Sequence, residues 1–278
     1  MKIVSICPSN TEMLYYLGIR DQVIALDDYS DWPEEWRELP RLGPDLDIDI
    51  EKIKKLRPDL VIASLSVPGM EKNILRLQQE HIPYIILNPK RLSEIANDFY
   101  TLGKALKMQT QAADMANAFL QEIRQIQDHI PRDHAKSNIY WEWWPKPVFS
   151  PGRLNWLTEI SNLVGAENIF ADQDVEAYQT TWLEVAQRQP DLALIVWTGI
   201  PIHRIKKSMI IERPPFNHTN LSHKKNIHIL EEGWYCRPSP RLLMGIKHLA
   251  HLLYPDRFTA LTEDNPFVDT RKKPHRKH

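Results

Sequence analysis

The chain has 278 residues, 42% apolar and 26% charged, and its 35 Lys and Arg nearly balance 36 Asp and Glu. That length and composition support a buried core and exclude wholesale disorder. Five basic residues, Arg271, Lys272, Lys273, Arg276 and Lys277, crowd the last eight positions; setting them aside from the formal charge of −1 leaves the remainder at −6, which argues against a nucleic-acid partner.

No apolar run approaches the ~18 residues that a bilayer-spanning helix requires. Cys7 and Cys236 are the only cysteines, so there is no disulfide framework. Nine glycines and no GxGxxG or Walker pattern leave little for a phosphate-cradling loop. Met1 stands directly before the first apolar strand with no secretory h-region, which taken alone reads as a cytoplasmic start.

Residues 2–7 read as a buried strand. Pro8-Ser9-Asn10 turns into a helix that Ser9 or Asn10 can cap, with Glu12 in its first turn. Residues 23–26 form a second strand, and a loop dense in Pro, Asp and aromatics runs from Asp27 to Ile48. A short amphipathic helix at 50–56 leads through Pro58-Asp59 into the unbroken apolar strand 60–64. Helix 70–80 and strand 83–87 complete a β-α-β alternation that implies a parallel, doubly wound sheet. Residues 93–129 read as helix with a break at 108–110, and the segment 109–129 makes a rigid strut. The second half restarts with strand 138–143, a Pro-rich loop, helix 154–164, strand 167–170, helix 181–188 and strand 191–197. A loop at 199–224, strand 226–230 and helix 239–253 follow. The chain therefore divides into an N-terminal α/β lobe (1–90), connecting helices (91–130), a C-terminal α/β lobe (131–258) and a polar, basic tail (259–278). An internal echo links the lobes. Leu-Arg-Pro-Asp-Leu-Val-Ile-Ala at 56–63 and Arg-Gln-Pro-Asp-Leu-Ala-Leu-Ile at 188–195 each end a helix and open a strand.

Nine tryptophans are many, and several fall in connecting loops. Tyr29, Trp32, Trp143, Trp144, Trp197 and Trp234 sit at or just after strand ends, where open parallel sheets bind ligands. A cleft walled by indoles suits a large, flat, amphipathic ligand. Trp36 and Trp182 fall outside that cleft and read as core. Catalytic patterns are sparse: no GxSxG elbow and no HExxH occurs. His248 and His251 share a helix face and could join an acid in a metal-dependent enzyme, but no third ligand stands at a defining spacing. Glu142 lacks a partner acid for paired-carboxylate chemistry.

The segments CPSNTEMLYYLG, DDYSDWP, RLGPDLDIDIEKIKKLRPDLVIAS, SPGRLNW, GAENIF and CRPSPRLL occur in this order. Together they resemble the substrate-binding proteins of ABC importers for vitamin B12, siderophores and haem, most nearly the cobalamin-binding branch. The resemblance spans residues 2–255. It implies two doubly wound α/β lobes joined by a single long rigid helix, a class III periplasmic-binding-protein-like fold. It further implies a monomer that clamps a corrinoid, needs no cofactor and does no chemistry. By position, Tyr29 matches a first-lobe cleft aromatic, Trp143 and Phe149 match second-lobe phenylalanines, and Tyr178 lies within one position of a cleft tryptophan. Trp234 and Arg237 match the closing loop. The Ser64-Leu65 and Pro44-Asp45 steps stand where the family has cleft tryptophans, and Trp144 and Trp156 are extra rings. The resemblance also implies that Glu51 and Glu184 dock on arginines of a membrane permease, and that the protein works outside the cytoplasm.

The expected ligand set is thus Tyr29, Trp32, Leu65, Trp143, Trp144, Phe149, Trp156, Tyr178, Trp197 and Trp234. Arg153 and Arg237 would hydrogen-bond the corrinoid's amides or phosphate. A ferric siderophore would instead use Arg153, Arg204, Arg213 and Arg237, and haem would want an axial Tyr or His.

Overall fold

The computed structural model describes residues 1–133 and 135–261, so most of the basic tail lies outside the described residues. Strand β1 (Ile3–Ser5) is followed by α1 (Pro8–Tyr16), β2 (Val23–Leu26), α2 (Ile50–Leu56), β3 (Leu60–Ser64), α3 (Glu71–Gln79) and β4 (Tyr84–Leu87). The four strands form one parallel sheet in the order β2-β1-β3-β4. Helices α4 (Leu92–Leu106) and α5 (Gln109–His129) connect to a second half. That half comprises β5 (Asn138–Glu142), β6 (Trp144–Pro145), β7 (Val148–Pro151), α6 (Trp156–Leu163), β8 (Glu167–Asn168), β9 (Ala177–Thr180), α7 (Trp182–Gln187), β10 (Leu192–Ile195), α8 (Ser208–Ile211), β11 (Ile227–Ile229) and α9 (Leu242–Leu253). Its parallel sheet has the order β11-β10-β5-β8. No helix among the described residues is long and apolar enough to cross a membrane.

The two sheets repeat one plan, and the Pro-Asp echo sits at its centre. Asp59 gives its N–H to the Lys2 carbonyl at 2.8 Å, and its carboxylate accepts the Lys2 N–H at 2.6 Å. Asp191 does the same with Asn138, at 2.9 and 2.8 Å. Each aspartate thereby starts the ladder between the first and third strands of its lobe. The residue before each proline, Arg57 or Gln189, takes a left-handed conformation (φ 49° and 48°) that ends the preceding helix.

Three local expectations are corrected. Helix α1 has no side-chain cap: Cys7 holds the cap position, Pro8 fills the first turn, and Asn10 donates instead to the Ile62 carbonyl at 3.2 Å. Glu12 serves no helix dipole; it is fully buried and turned towards the second lobe. The Pro-rich loop after β5 is an antiparallel ribbon, β6-β7-β9, held by the pairing of Phe149 with both Trp144 and Gln179.

Helix α5 has 21 residues, about 30 Å at the usual rise. Ala112, Met115, Ala116, Phe119, Ile123 and Ile126 line its buried face. It packs along α4 so closely that a Cβ on Gly103 would stand 2.5 Å from the Ala112 Cβ. One apolar core runs from Ile3 and Leu26 through Phe99 and Phe119 to Ile139, Trp141 and Leu249. The connecting helices are therefore part of a continuous core rather than a free rod.

Candidate ligand-binding cleft

The loops at the carboxyl ends of both parallel sheets face one another across a cleft of about 890 Å³. Cys7 to Ser9 follow β1; Asp28, Tyr29, Asp31, Asp45 and Leu46 follow β2; Ser66 and Val67 follow β3. From the second lobe come Trp144 after β5, the run Thr198 to His203 after β10, and Leu230 to Glu232 with Cys236 to Pro238 after β11.

Two aromatic rings enter this space, one from each lobe. Tyr29 is 54% exposed and Trp144 is 39% exposed, large values for such side chains. The Tyr29 turn is built by Asp27, which accepts the Tyr29 N–H at 2.8 Å and a short hydrogen bond from the Ser30 hydroxyl. Arg41 ties the same turn from outside, donating at 2.8 Å to the carbonyls of Asp27 and Ser30. Trp144 is held by its strand pairing with Phe149 and by an indole hydrogen bond to the Lys146 carbonyl at 3.0 Å.

Of the residues expected from sequence, the structure brings Tyr29, Trp144 and Arg237 to the cleft. The others are not among the residues that line it. The Trp156 indole donates to the Tyr235 carbonyl at 2.7 Å, and the Trp143 ring lies tilted against it at 6.2 Å. The Trp197 indole donates to Glu142 at 2.9 Å inside the second-lobe core. Trp32 lies against Tyr15, with the Arg241 guanidinium 4.8 Å above its ring. Trp234 packs edge-on to His248, and Tyr178 packs on Phe170 with its hydroxyl 3.3 Å from Glu184. Phe149 lies half-buried in β7, Arg153 pairs with Asp174 at 2.7 Å, and Leu65 is half-buried beside the lining residue Ser66. Two of the expected rings, Tyr29 and Trp144, thus line this cleft, and most tryptophans pack in or against the cores. His248 meets the Tyr235 hydroxyl at 3.0 Å and His251 the Phe258 carbonyl at 2.6 Å. Among the described residues no cluster of three His, Cys, Asp or Glu could hold a metal ion.

The sequence reading missed the cleft's charge. Among the described residues, Asp28, Asp31, Asp45, Glu231 and Glu232 line it against one guanidinium, Arg237. All follow strand ends, a rule applied only to the aromatics. Burial raises the carboxyls of Asp45 and Glu232 above the usual range, Arg237 pulling both back in part. Burial also works on Asp31, but its bond with Arg237 and the charges of Arg237 and Arg241 hold it low. Burial and Asp27 push the Cys7 thiol up to about 11, and burial raises Cys236 as well, so both cleft thiols stay protonated.

Arg237 is also a bridge. From the second lobe it reaches Asp31 at 2.5 Å and Glu12 at 3.3 Å on the first, and Glu232 at 2.9 Å on its own. Arg241 and the Ser239 hydroxyl bind the same Glu12 carboxylate, Arg241 at 2.8 Å. Glu51 is exposed on α2, where it pairs with Lys54 at 3.1 Å. Glu184 is engaged by Arg188 at 3.1 Å and by the Thr180 hydroxyl at 2.7 Å.

The periplasmic binding protein family model matches residues 3–230. The chain is 27% identical over 268 residues to the uncharacterised ABC transporter substrate-binding lipoprotein YvrC of Bacillus subtilis (strain 168), covering 92% of this chain and 81% of that protein. It is 26% identical over 248 residues to the vitamin B12-binding protein of Yersinia pestis (strain Pestoides F), covering 89% and 84%. Among solved structures, the vitamin B12-binding protein BtuF of Vibrio cholerae superposes with a TM-score of 0.73 at 25% identity, covering 91% of this chain and 96% of that one. The haem-binding protein RhuT of Roseiflexus sp. RS-1 superposes at 0.80 with 21% identity, covering 91% and 98%, a likeness of fold. Two parallel α/β lobes on a shared helical spine, with a ligand-sized cleft between their strand ends and this family match, lead to one conclusion: the chain belongs to the periplasmic binding protein family, the non-enzymatic substrate-binding proteins of ABC importers.

Proposed function

We propose that the cargo is a corrinoid such as cobalamin, held between Tyr29 and Trp144 and delivered to a permease outside the cytoplasm. The observation that carries this reading is the cleft's charge. Five carboxylates against one arginine suit a neutral or cationic ligand rich in amide N–H donors. They disfavour an anionic ferric siderophore, which wants converging cations. Arg153 and Arg213, two of the cations such a ligand would use, are bound to Asp174 and Glu142. The two exposed rings supply flat apolar area at low ordering cost. The two similar vitamin B12-binding proteins support the same choice. Docking would use Glu51 on the first lobe and the α7 tip on the second, where Glu184 is partly occupied by Arg188.

A haem reading has one observation in its favour: Tyr29 and His203, both axial-ligand types, line the cleft from opposite lobes. Calorimetric titration with cyanocobalamin and with haemin separates the two. Saturable heat and tryptophan quenching with cyanocobalamin are expected. Binding of haemin with a Soret shift, and none of cyanocobalamin, overturns the corrinoid reading.

A further inference from the structure

The second lobe carries a concentration of positive charge at odds with the rest of the molecule. Residues 203–225 hold six Lys and Arg and one Glu, within a chain whose body is acidic. Arg213 is consumed by Glu142 in the core. The other five, Arg204, Lys206, Lys207, Lys224 and Lys225, make no ion pair among the described residues, and all but the half-buried Lys207 are exposed. The Lys207 ammonium donates to the Lys224 carbonyl at 2.9 Å, so the two basic stretches adjoin. Ile202 and Met209 stand out of the same surface, 43% and 46% exposed. Ile202 and His203 line the cleft, which places the patch on the rim of its mouth.

We propose that this rim is a membrane-contact surface that rests on an anionic lipid bilayer while the protein delivers its cargo. Unpaired cations interleaved with protruding apolar side chains are what an anionic headgroup layer attracts, the cations by charge and the apolar tips by shallow insertion. An acidic face of the permease is the less suitable occupant. The docking reading puts carboxylates, Glu51 and Glu184, against that partner, so its matching surface is basic and repels this rim. That step rests on the docking reading; the cargo reading is independent of it.

The test uses the purified full chain and vesicle sedimentation. Binding is expected to mixed phosphatidylcholine–phosphatidylglycerol vesicles and not to phosphatidylcholine alone, and it falls as ionic strength rises. Combining Lys206→Glu, Lys224→Glu and Lys225→Glu should lower partitioning roughly tenfold or more. Met209→Ser should weaken it at every salt concentration alike. None of these four positions lines the cleft, so cyanocobalamin titration of each variant reports on the cargo separately. No binding to anionic vesicles overturns the proposal, as does binding that survives the triple reversal, which would assign it to the basic tail. Binding only to vesicles that contain a permease would transfer the surface to a protein partner and likewise overturn it.

Discussion

Arg241, beside α9, donates to the carboxylate of Glu12, in α1, at 2.8 Å across the junction of the two lobes. Glu12 is fully buried and shares its two oxygens among Arg241, Arg237 and Ser239. A carboxylate so placed is stable only while its cations stay, and the cations belong to the other lobe. The lobes are thus fixed to each other by charge as well as by the core beneath.

Glu12→Ala should therefore destabilise the fold by about 3–5 kcal/mol, since it leaves the partly buried Arg241 guanidinium without its carboxylate, while Arg237 keeps Asp31 and Glu232. Urea unfolding monitored by tryptophan fluorescence measures it. Glu12→Gln, which keeps the acceptor oxygen but not the charge, should cost less.

Tyr29→Ala and Trp144→Ala should each weaken cyanocobalamin binding by roughly tenfold or more with little change in melting temperature, because both rings are exposed in the unliganded protein. Trp197→Phe should show the opposite pattern. It leaves the buried Glu142 short of a donor, so stability falls by about 1–3 kcal/mol while the cleft lining is kept. Equal effects of all three on affinity would contradict the two-ring cleft.

Arg213 joins the 199–224 segment to the sheet through two bonds to Glu142, at 2.6 and 2.9 Å, and stacks 4.2 Å over Trp182. That segment carries the cleft wall from Gly199 to His203. Arg213→Ala should lower stability by about 3–5 kcal/mol, as expected when a buried pair loses one partner. It should also weaken ligand binding; thermal unfolding with and without cyanocobalamin reads both effects.

Burial lifts the Asp27 carboxyl to about 6, with hydrogen bonds from Ser30 and the Tyr29 N–H and the charge of Arg237 opposing it, and Asp45 adding to it. Its unfolded value is near 3.8. Between those values the folded chain keeps a proton that the unfolded chain has released. The resulting stability is present in full below about pH 4 and is lost as pH rises through about 6, on the order of 3 kcal/mol. Asp98, raised to about 7 by burial and Glu94, adds a trend of the same sign. Unfolding free energies from pH 4 to 7 should therefore decline more steeply for the parent than for Asp27→Asn.

Glu51→Ala should leave folding and ligand affinity unchanged, because the side chain is exposed and its Lys54 pair is worth little. Transport in a reconstituted permease assay should fall. Glu184→Ala should reduce transport too, but at a cost in stability, since Arg188 and Thr180 lose an acceptor.

The lobes were legible in the sequence because a parallel strand buried on both faces writes itself as an apolar run, and the Pro-Asp echo marks the same sheet position twice. The rings were not. A tryptophan after a strand has the same letter whether its indole closes a core or opens on a cleft. The alternation of faces along β5 sends Tyr140 to one core and Trp141 to another, while Trp144 stands free at the ribbon that follows. The charge of the cleft was equally hidden, being assembled from carboxylates on two loops, one from each lobe, about 200 positions apart in the chain. Local periodicity fixes which segments become strands and helices, because it depends on near neighbours. Which side chains meet across the lobes, as Glu12 and Arg241 do over 229 positions, depends on how two finished sheets settle on one spine, and only the folded chain decides that.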